Sequence, residues 1–214
     1  MTLRLASVAI GYVFGLFQTG YIYGRTQGID IRQYGSGNSG ATNTLRTLGK
    51  KAGAIAFFGD LMKAILPIVL VKFLFANAFH GDIKILELYA GLGAVLGHNF
   101  PFYMKFKGGK GIASTGGVAV AVCPLTVPLC LGTFLFCVKK TRYVSLGSIL
   151  MAILLFGQVI VFNAMGILGV APEAVMEFNI LTLIFSTLAI YRHRSNIVRL
   201  LNGTENKLGD KAKK

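Results

Sequence analysis

The chain is 214 residues long, 54% hydrophobic and only 14% charged, with a mean hydropathy of +0.64 and a formal net charge of +14. Such values exclude an ordinary soluble domain, because several apolar runs approach the roughly twenty residues that cross a bilayer. The cations read first as loops facing anionic lipid and second as attraction for an anionic substrate. They are scattered over short loops and form no stripe with exposed aromatics, which argues against a nucleic-acid partner.

Residues 5–24 form a first apolar run. It is long, lacks a small-x-small cleavage site and ends on Tyr21 and Tyr23, so it reads as a retained helix and not a signal peptide. Residues 25–52 are polar, with Arg25, Arg32, Arg46, Lys50 and Lys51 against Asp30 alone. A second span covers 53–75. Its Asp60 and Lys63, three apart, can meet on one helical face as an interior structural pair. Residues 76–87 are a short connection of balanced charge whose His80 is given no role, and a third span runs from there to about residue 103.

Residues 112–138 are apolar, but Cys123-Pro124 and Pro128 interrupt them and both ends are basic. Two short helices turning near Pro124 satisfy the charge rule better than one span. Spans at 144–165 and 178–191 follow, separated by the weakly acidic segment 166–177. A basic tail then carries Arg192, Arg194, Arg199, Lys207 and the C-terminal lysines. The expectation is an all-α integral membrane protein of seven transmembrane helices, some short, forming a single polytopic domain over residues 1–214. The amino end would lie outside and the carboxyl end in the cytoplasm; a five-span alternative also leaves the carboxyl end inside.

Three polar blocks fall on the side expected to be cytoplasmic. The first, G-S-G-N-S-G-A-T-N, contains Gly35, Ser36, Gly37, Asn38, Gly40, Ala41, Thr42 and Asn43, with Arg46 close behind. It can offer backbone N–H, hydroxyl and amide donors to phosphate oxygens, and Arg46 can bind them bidentately. The second, G-H-N-F-P-F-Y-M-K-F-K-G-G-K-G, begins Gly97-His98 and sets Lys105, Lys107 and Lys110 among Gly108, Gly109 and Gly111. Glycines let successive N–H groups form an anion nest, and Ile112 opens a helix whose dipole also favours an anion. No Ser or Thr follows Lys110, so the nucleotide P-loop is excluded. Taken alone, this block fits either an anion site or a cationic anchor to lipid headgroups. The third block, H-R-S-N-I-V-R-L-L-N-G-T-E, opens with His193 and Asn196, which share one face if the last helix continues; Ser145 and Ser148 follow Arg142. Cys123, Cys130 and Cys137 recur every seven residues and read as packing groups. With no His or Cys at zinc-site spacing, neither metal nor cofactor is expected.

Together the blocks resemble the signature of the PlsY family, bacterial membrane glycerol-3-phosphate acyltransferases that use acyl phosphate. The similarity extends over essentially the whole chain, including the D-x-x-K pair at Asp60 and Lys63. It departs at Ser39, where a bulkier residue is common, and at Ile112-Ala113-Ser114, where Val-Ala-Thr is common. The resemblance implies a seven-helix protein of the bacterial inner membrane with its active site at the cytoplasmic face. It also implies transfer from acyl phosphate to the 1-position of glycerol 3-phosphate, and acyl phosphate supplied by a soluble partner enzyme, PlsX. Carried over position by position, Ser36, Asn38, Thr42, Asn43, Lys110, His193 and Asn196 would be catalytic, the Ser36–Asn43 loop holding the acyl phosphate. Arg46, Lys110, His193 and Asn196, with Ser148, would contact glycerol 3-phosphate. Gly35, Gly37, Gly40, Ala41, His98, Lys107, Gly108, Gly109, Gly111 and Ser145 would complete the substrate site.

Two other classes compete with an acyltransferase: a small anion transporter and a non-catalytic lipid-binding scaffold. Transporters place sites at the midplane, on broken helices within inverted repeats. Here no repeat is visible and the polar blocks gather at one face. Neither His98 nor His193 opens an H-x-x-x-x-D pair, and no G-x-S-x-G elbow is present. His193 is expected to donate to phosphate rather than to activate a nucleophile.

Overall fold

The computed structural model describes residues 1–210. Lys211, Lys213 and Lys214 of the basic tail lie outside the described residues. Among the described residues the fold is all-helical, without strands. Four segments are long and apolar enough to cross a membrane: Thr2–Thr26, Ala41–Phe75, Val144–Ala164 and Pro172–Arg192. Large apolar side chains such as Phe58, Phe73, Phe136 and Ile153 point outward, while Ser, Thr and Asn side chains are buried between helices. That distribution suits a lipid solvent, in which small and polar residues make helix contacts.

The first apolar run is two helices, α1 (Thr2–Gly15) and α2 (Thr19–Thr26). Gln18 fills the break between them, donating to the carbonyls of Gly15, Gly97 and His98. α3 (Ala41–Phe75) is longer than the sequence suggests, beginning inside the first polar block. Gly49 bends it, at φ +86°, a left-handed value that favours glycine. α4 (Ile83–Asn99) packs on α1 through two G-x-x-x-G pairs, Gly11/Gly15 and Gly93/Gly97. A methyl on Gly11 would sit 1.9 Å from the Ala90 carbonyl oxygen, and one on Gly97 2.3 Å from that of Tyr12. Only glycine allows so close an approach.

α5 (Ile112–Val122) and α6 (Val127–Thr141) are the two short helices expected around Pro124. α7 (Val144–Ala164) and α8 (Val175–Arg192) follow, and the chain breaks at His193 before a short α9 (Arg194–Leu201).

The two ends of the bundle differ. At one, Arg4 of α1 pairs with Glu177 of α8 at 2.6 Å, and Lys84 donates to the carbonyls of Leu168 and Gly169. At the other, α3, α5 and α7 all begin, α4 and α8 end, and the three polar blocks meet.

Candidate active site

One cavity at that second end is lined by Ser36, Asn38, Gly40, Ala41, Thr42, Asn43 and Arg46 of the first block, and by His98, Lys110 and Gly111 of the second. Ser145, Ser148, His193 and Asn196 line it as well. All seven residues expected to be catalytic therefore converge. Five predicted contacts do not line it: Gly35, Gly37, Lys107, Gly108 and Gly109. Lys107 is exposed, and Gly108 and Gly109 are buried behind Lys110. Their glycine identity has a packing reason, since a methyl on Gly109 would lie 1.9 Å from His98 Nε2 and one on Gly108 2.0 Å from the His98 carbonyl oxygen.

Three helices point their amino ends at the cavity: α3 through Ala41 and Thr42, α5 through Gly111, Ile112 and Ala113, and α7 through Val144 and Ser145. Each end carries a partial positive charge and N–H groups without intrahelical partners, so together they favour an anion before any side chain is counted. Arg46 and Lys110 add full charges. Apolar side chains also line the cavity, Phe57 and Phe134 beside Ile112 and Val144 of those helix ends. Phe57 is also partly exposed, so the lining extends to the surface of α3.

Asn43 organises the first block. Its amide donates to the carbonyls of Ile31, Tyr34 and Asn38 at 2.9–3.1 Å, and its oxygen accepts from Ser36 N at 2.9 Å. Asn38 Oδ1 accepts from Gly40 N. Ser39, one of the two departures from the family pattern, is buried and donates to Gln18, joining the block to the α1–α2 break.

Lys110 donates to Asn196 Oδ1. Glu205, the last residue of the third block and without a role assigned above, organises this side of the cavity through its carboxylate. Oε1 accepts from Asn196 Nδ2 at 2.7 Å and Ser145 Oγ at 3.0 Å, and Oε2 accepts from Arg199 Nε at 2.7 Å. Ser148 donates to its own helix at Val144. Burial first, then Arg199, Arg192 and Arg46, pull the Lys110 ammonium down to about 8, with Glu205 opposing. An incoming phosphate would reverse that pull.

His193 sits at the end of α8 with Nδ1 2.8 Å from the Ala189 carbonyl oxygen. A carbonyl only accepts, so the proton of the neutral ring is on Nδ1 and Nε2 is an acceptor. Burial, reinforced by Lys110, holds His193 near 4, so the ring is neutral at pH 7. In this tautomer the neutral ring presents Nε2 to the cavity side as an acceptor, where the sequence suggested a donor to phosphate.

Asp60 and His98 lie at the cavity floor. The buried Lys63 ammonium is 2.9 Å from Asp60, donates to the Phe17 carbonyl at the α1–α2 break and contacts His98 Nδ1 at 2.7 Å. The D-x-x-K pair is thus an interior cluster under the glycine loop, in keeping with its structural reading. Cys123, Cys130 and Cys137 are buried and none lines the cavity.

The fold and site define a polytopic membrane protein that gathers anion-binding groups and apolar side chains at one end of its helices. A family model described as glycerol-3-phosphate acyltransferase matches residues 5–203, and the chain belongs to that family. A glycerol-3-phosphate acyltransferase of Thermoanaerobacter sp. (strain X514) is 42% identical over 94% of both chains, and one of Alkaliphilus metalliredigens is 43% identical over 98% of both. Among solved structures, PlsY, an integral membrane glycerol 3-phosphate acyltransferase, in its glycerol 3-phosphate form is 35% identical over 96% of both chains, with a TM-score of 0.82. Its lysophosphatidic acid form is 34% identical, covering 96% of this chain and 95% of that one, with a TM-score of 0.79.

Proposed function

We propose that the chain transfers the acyl group of acyl phosphate to the 1-hydroxyl of glycerol 3-phosphate, releasing lysophosphatidate and phosphate. This would be the first acylation of phospholipid synthesis, fed by the soluble enzyme PlsX that makes acyl phosphate. The observation that carries it is one cavity lined by three helix amino ends, Arg46 and Lys110 together with the apolar Phe57 and Phe134. Both substrates bring a phosphate, and one also brings an acyl chain, whose burial contributes about 0.8 kcal/mol per CH₂.

In this reading Arg46 and Lys110 bind the phosphate of glycerol 3-phosphate, aided by Asn196, with Ser148 nearby. The Ser36–Asn43 block at the start of α3 holds the acyl phosphate and polarises its carbonyl. His193 Nε2 accepts a hydrogen bond from a glycerol hydroxyl and orients it. The hydroxyl oxygen attacks the acyl carbon, an ester C–O bond forms, and the anhydride C–O bond breaks. The hydroxyl proton passes to an oxygen of the departing phosphate. Phosphate is a good leaving group, so alignment and charge stabilisation supply most of the acceleration.

As a single membrane domain, the protein would cross the bacterial inner membrane seven times: the α1–α2 pair, α3, α4, α5, α6, α7 and α8. Its amino end would lie outside, with the cavity and the carboxyl end at the cytoplasmic face, in line with the basic segments near the cavity. The test is the product. Purified protein given acyl phosphate and glycerol 3-phosphate is expected to release lysophosphatidate and phosphate in equal amounts, and either appearing without the other would overturn the reading.

A further inference from the structure

The Gly108–Gly109 turn behind Lys110 is held on two edges. Its N–H groups donate to the last carbonyls of α4, Gly108 to Asn99 and Gly109 to His98, each at 3.1 Å. Its two carbonyls both accept from one nitrogen, Nη2 of Arg192, at 3.1 and 2.8 Å. The guanidinium also stacks 4.9 Å from the centroid of Phe100, the residue that follows α4. Its Nε–H is buried without a partner, so the carbonyl pair and the ring fix its orientation even at the cost of one donor.

We propose that Arg192 is a positioning residue, clamping the carbonyl edge of Gly108–Gly109 so that Lys110 is presented to the substrate phosphate. The inference rests on the reading of Lys110 as a phosphate ligand. Two adjacent glycines would otherwise leave the loop with the largest conformational freedom a backbone can have. Neither glycine can exchange that freedom for a side chain, because His98 occupies the space a Cβ would need. Rigidity therefore has to come from outside the loop. A guanidinium can bridge two carbonyls while lying flat on a ring; a lysine ammonium reaches the carbonyls only as a point donor. Arg192 closes α8 and is followed directly by His193, so one short segment sets both the loop and the proposed hydroxyl-orienting ring.

The test uses full-length protein in detergent, with Arg192→Lys, Arg192→Gln and Lys110→Ala. Both Arg192 variants are expected to raise KM for glycerol 3-phosphate about tenfold, the size of one lost charge-assisted hydrogen bond, while KM for acyl phosphate moves less than about twofold. The charged groups facing Lys110 are Arg46 of α3, Arg192 of α8 and Arg199 of α9, which disfavour its charge, and Glu205 beyond α9, which favours it, with neutral His193 alongside. Removing the Arg192 charge should therefore move the alkaline limb of kcat/KM upward in Arg192→Gln and leave it in place in Arg192→Lys, which a purely structural role would not do. Should Arg192→Gln fail to fold by size exclusion, Phe100→Leu, which removes only the ring, is expected to raise the same KM by a smaller factor. Unchanged KM for glycerol 3-phosphate in the folded variants, or equal losses toward both substrates, overturns the clamp if Lys110→Ala raises that KM. If Lys110→Ala also leaves it unchanged, the reading of the site falls with the clamp.

Discussion

Lys110 gives the sharpest test of the anion site, because its surroundings fix both a magnitude and a pH limb. It lies at the amino end of α5, donates to Asn196, and is held near 8 by burial and by Arg199, Arg192 and Arg46. A charge-assisted hydrogen bond is worth about 1.5–3 kcal/mol, so Lys110→Ala should lower kcat/KM for glycerol 3-phosphate by roughly 10- to 150-fold. The protonated form is the one that binds a dianion. As pH rises through 8 in the free enzyme, that form is lost and kcat/KM should fall by about tenfold per unit. Bound phosphate stabilises the ammonium and raises its pKa in the complex, so kcat itself should decline only at higher pH. On the acid side the substrate phosphate loses its second charge below about pH 6, which leaves a plateau between roughly 6 and 8. Lys110→Arg keeps its charge to far higher pH and should lose the alkaline limb. The assay is initial rate against glycerol 3-phosphate at saturating acyl phosphate from pH 5.5 to 10. A wild-type kcat/KM that stays flat from 8 to 10, or a limb at 8 that persists in Lys110→Arg, would refute the assignment.

Glu205→Gln replaces a carboxylate that accepts from Ser145, Asn196 and Arg199 by an amide that must turn a donor toward one of them; kcat/KM is expected to drop about tenfold or more, against a melting temperature recorded in parallel. Wild-type kinetics in that variant would remove Glu205 from the site. Single cysteines at Thr47 and Lys207, in a background lacking the native three, should react only from the cytoplasmic side and one at Asp82 only from outside; reaction of Thr47 and Asp82 from one side would end the seven-crossing topology. Because Cys123, Cys130 and Cys137 are buried away from the cavity, changing all three to Ala should leave turnover within about twofold. Protein incubated with radiolabelled acyl phosphate alone should carry no label after denaturation, whereas stoichiometric label chased by glycerol 3-phosphate would mean a side-chain nucleophile.

The parts of the fold legible in the sequence were those governed by hydropathy and by proline. The long apolar runs, the turn at Pro124 and the helix start at Ile112 are local consequences of lipid as solvent and of a missing N–H. Helix breaks inside apolar or polar stretches were not legible. Gln18 sits in a run that hydropathy treats as continuous, and its break exists because one side chain satisfies three carbonyls from α1 and α4. The start of α3 at Ala41 was hidden for the opposite reason. Its first turns are polar because they face the cavity, so the pattern that marks an outer membrane span is absent there. The G-x-x-x-G pairs at Gly11/Gly15 and Gly93/Gly97 were present to be read, though only a partner helix gives the spacing its meaning.

The site divides along the same line. Residues whose chemistry is rare in a membrane protein, Arg46, Lys110, His193 and Asn196, stood out and do converge. What determines how they act was not legible, because it depends on partners that no local pattern reports. The direction of the His193 ring depends on the Ala189 carbonyl, a backbone atom that no side-chain pattern reports. The Lys110–Asn196 contact depends on Glu205, which closes the third block but whose bonds to Ser145 and Asn196 no local pattern reports. A charged group is announced by its identity, whereas its protonation and aim are set by what the fold places against it. For that reason the pH limb of Lys110 tests the assembled site more stringently than the loss of its side chain: truncation shows that a cation is needed, and only the limb near 8 requires the buried setting among Arg46, Arg192 and Arg199.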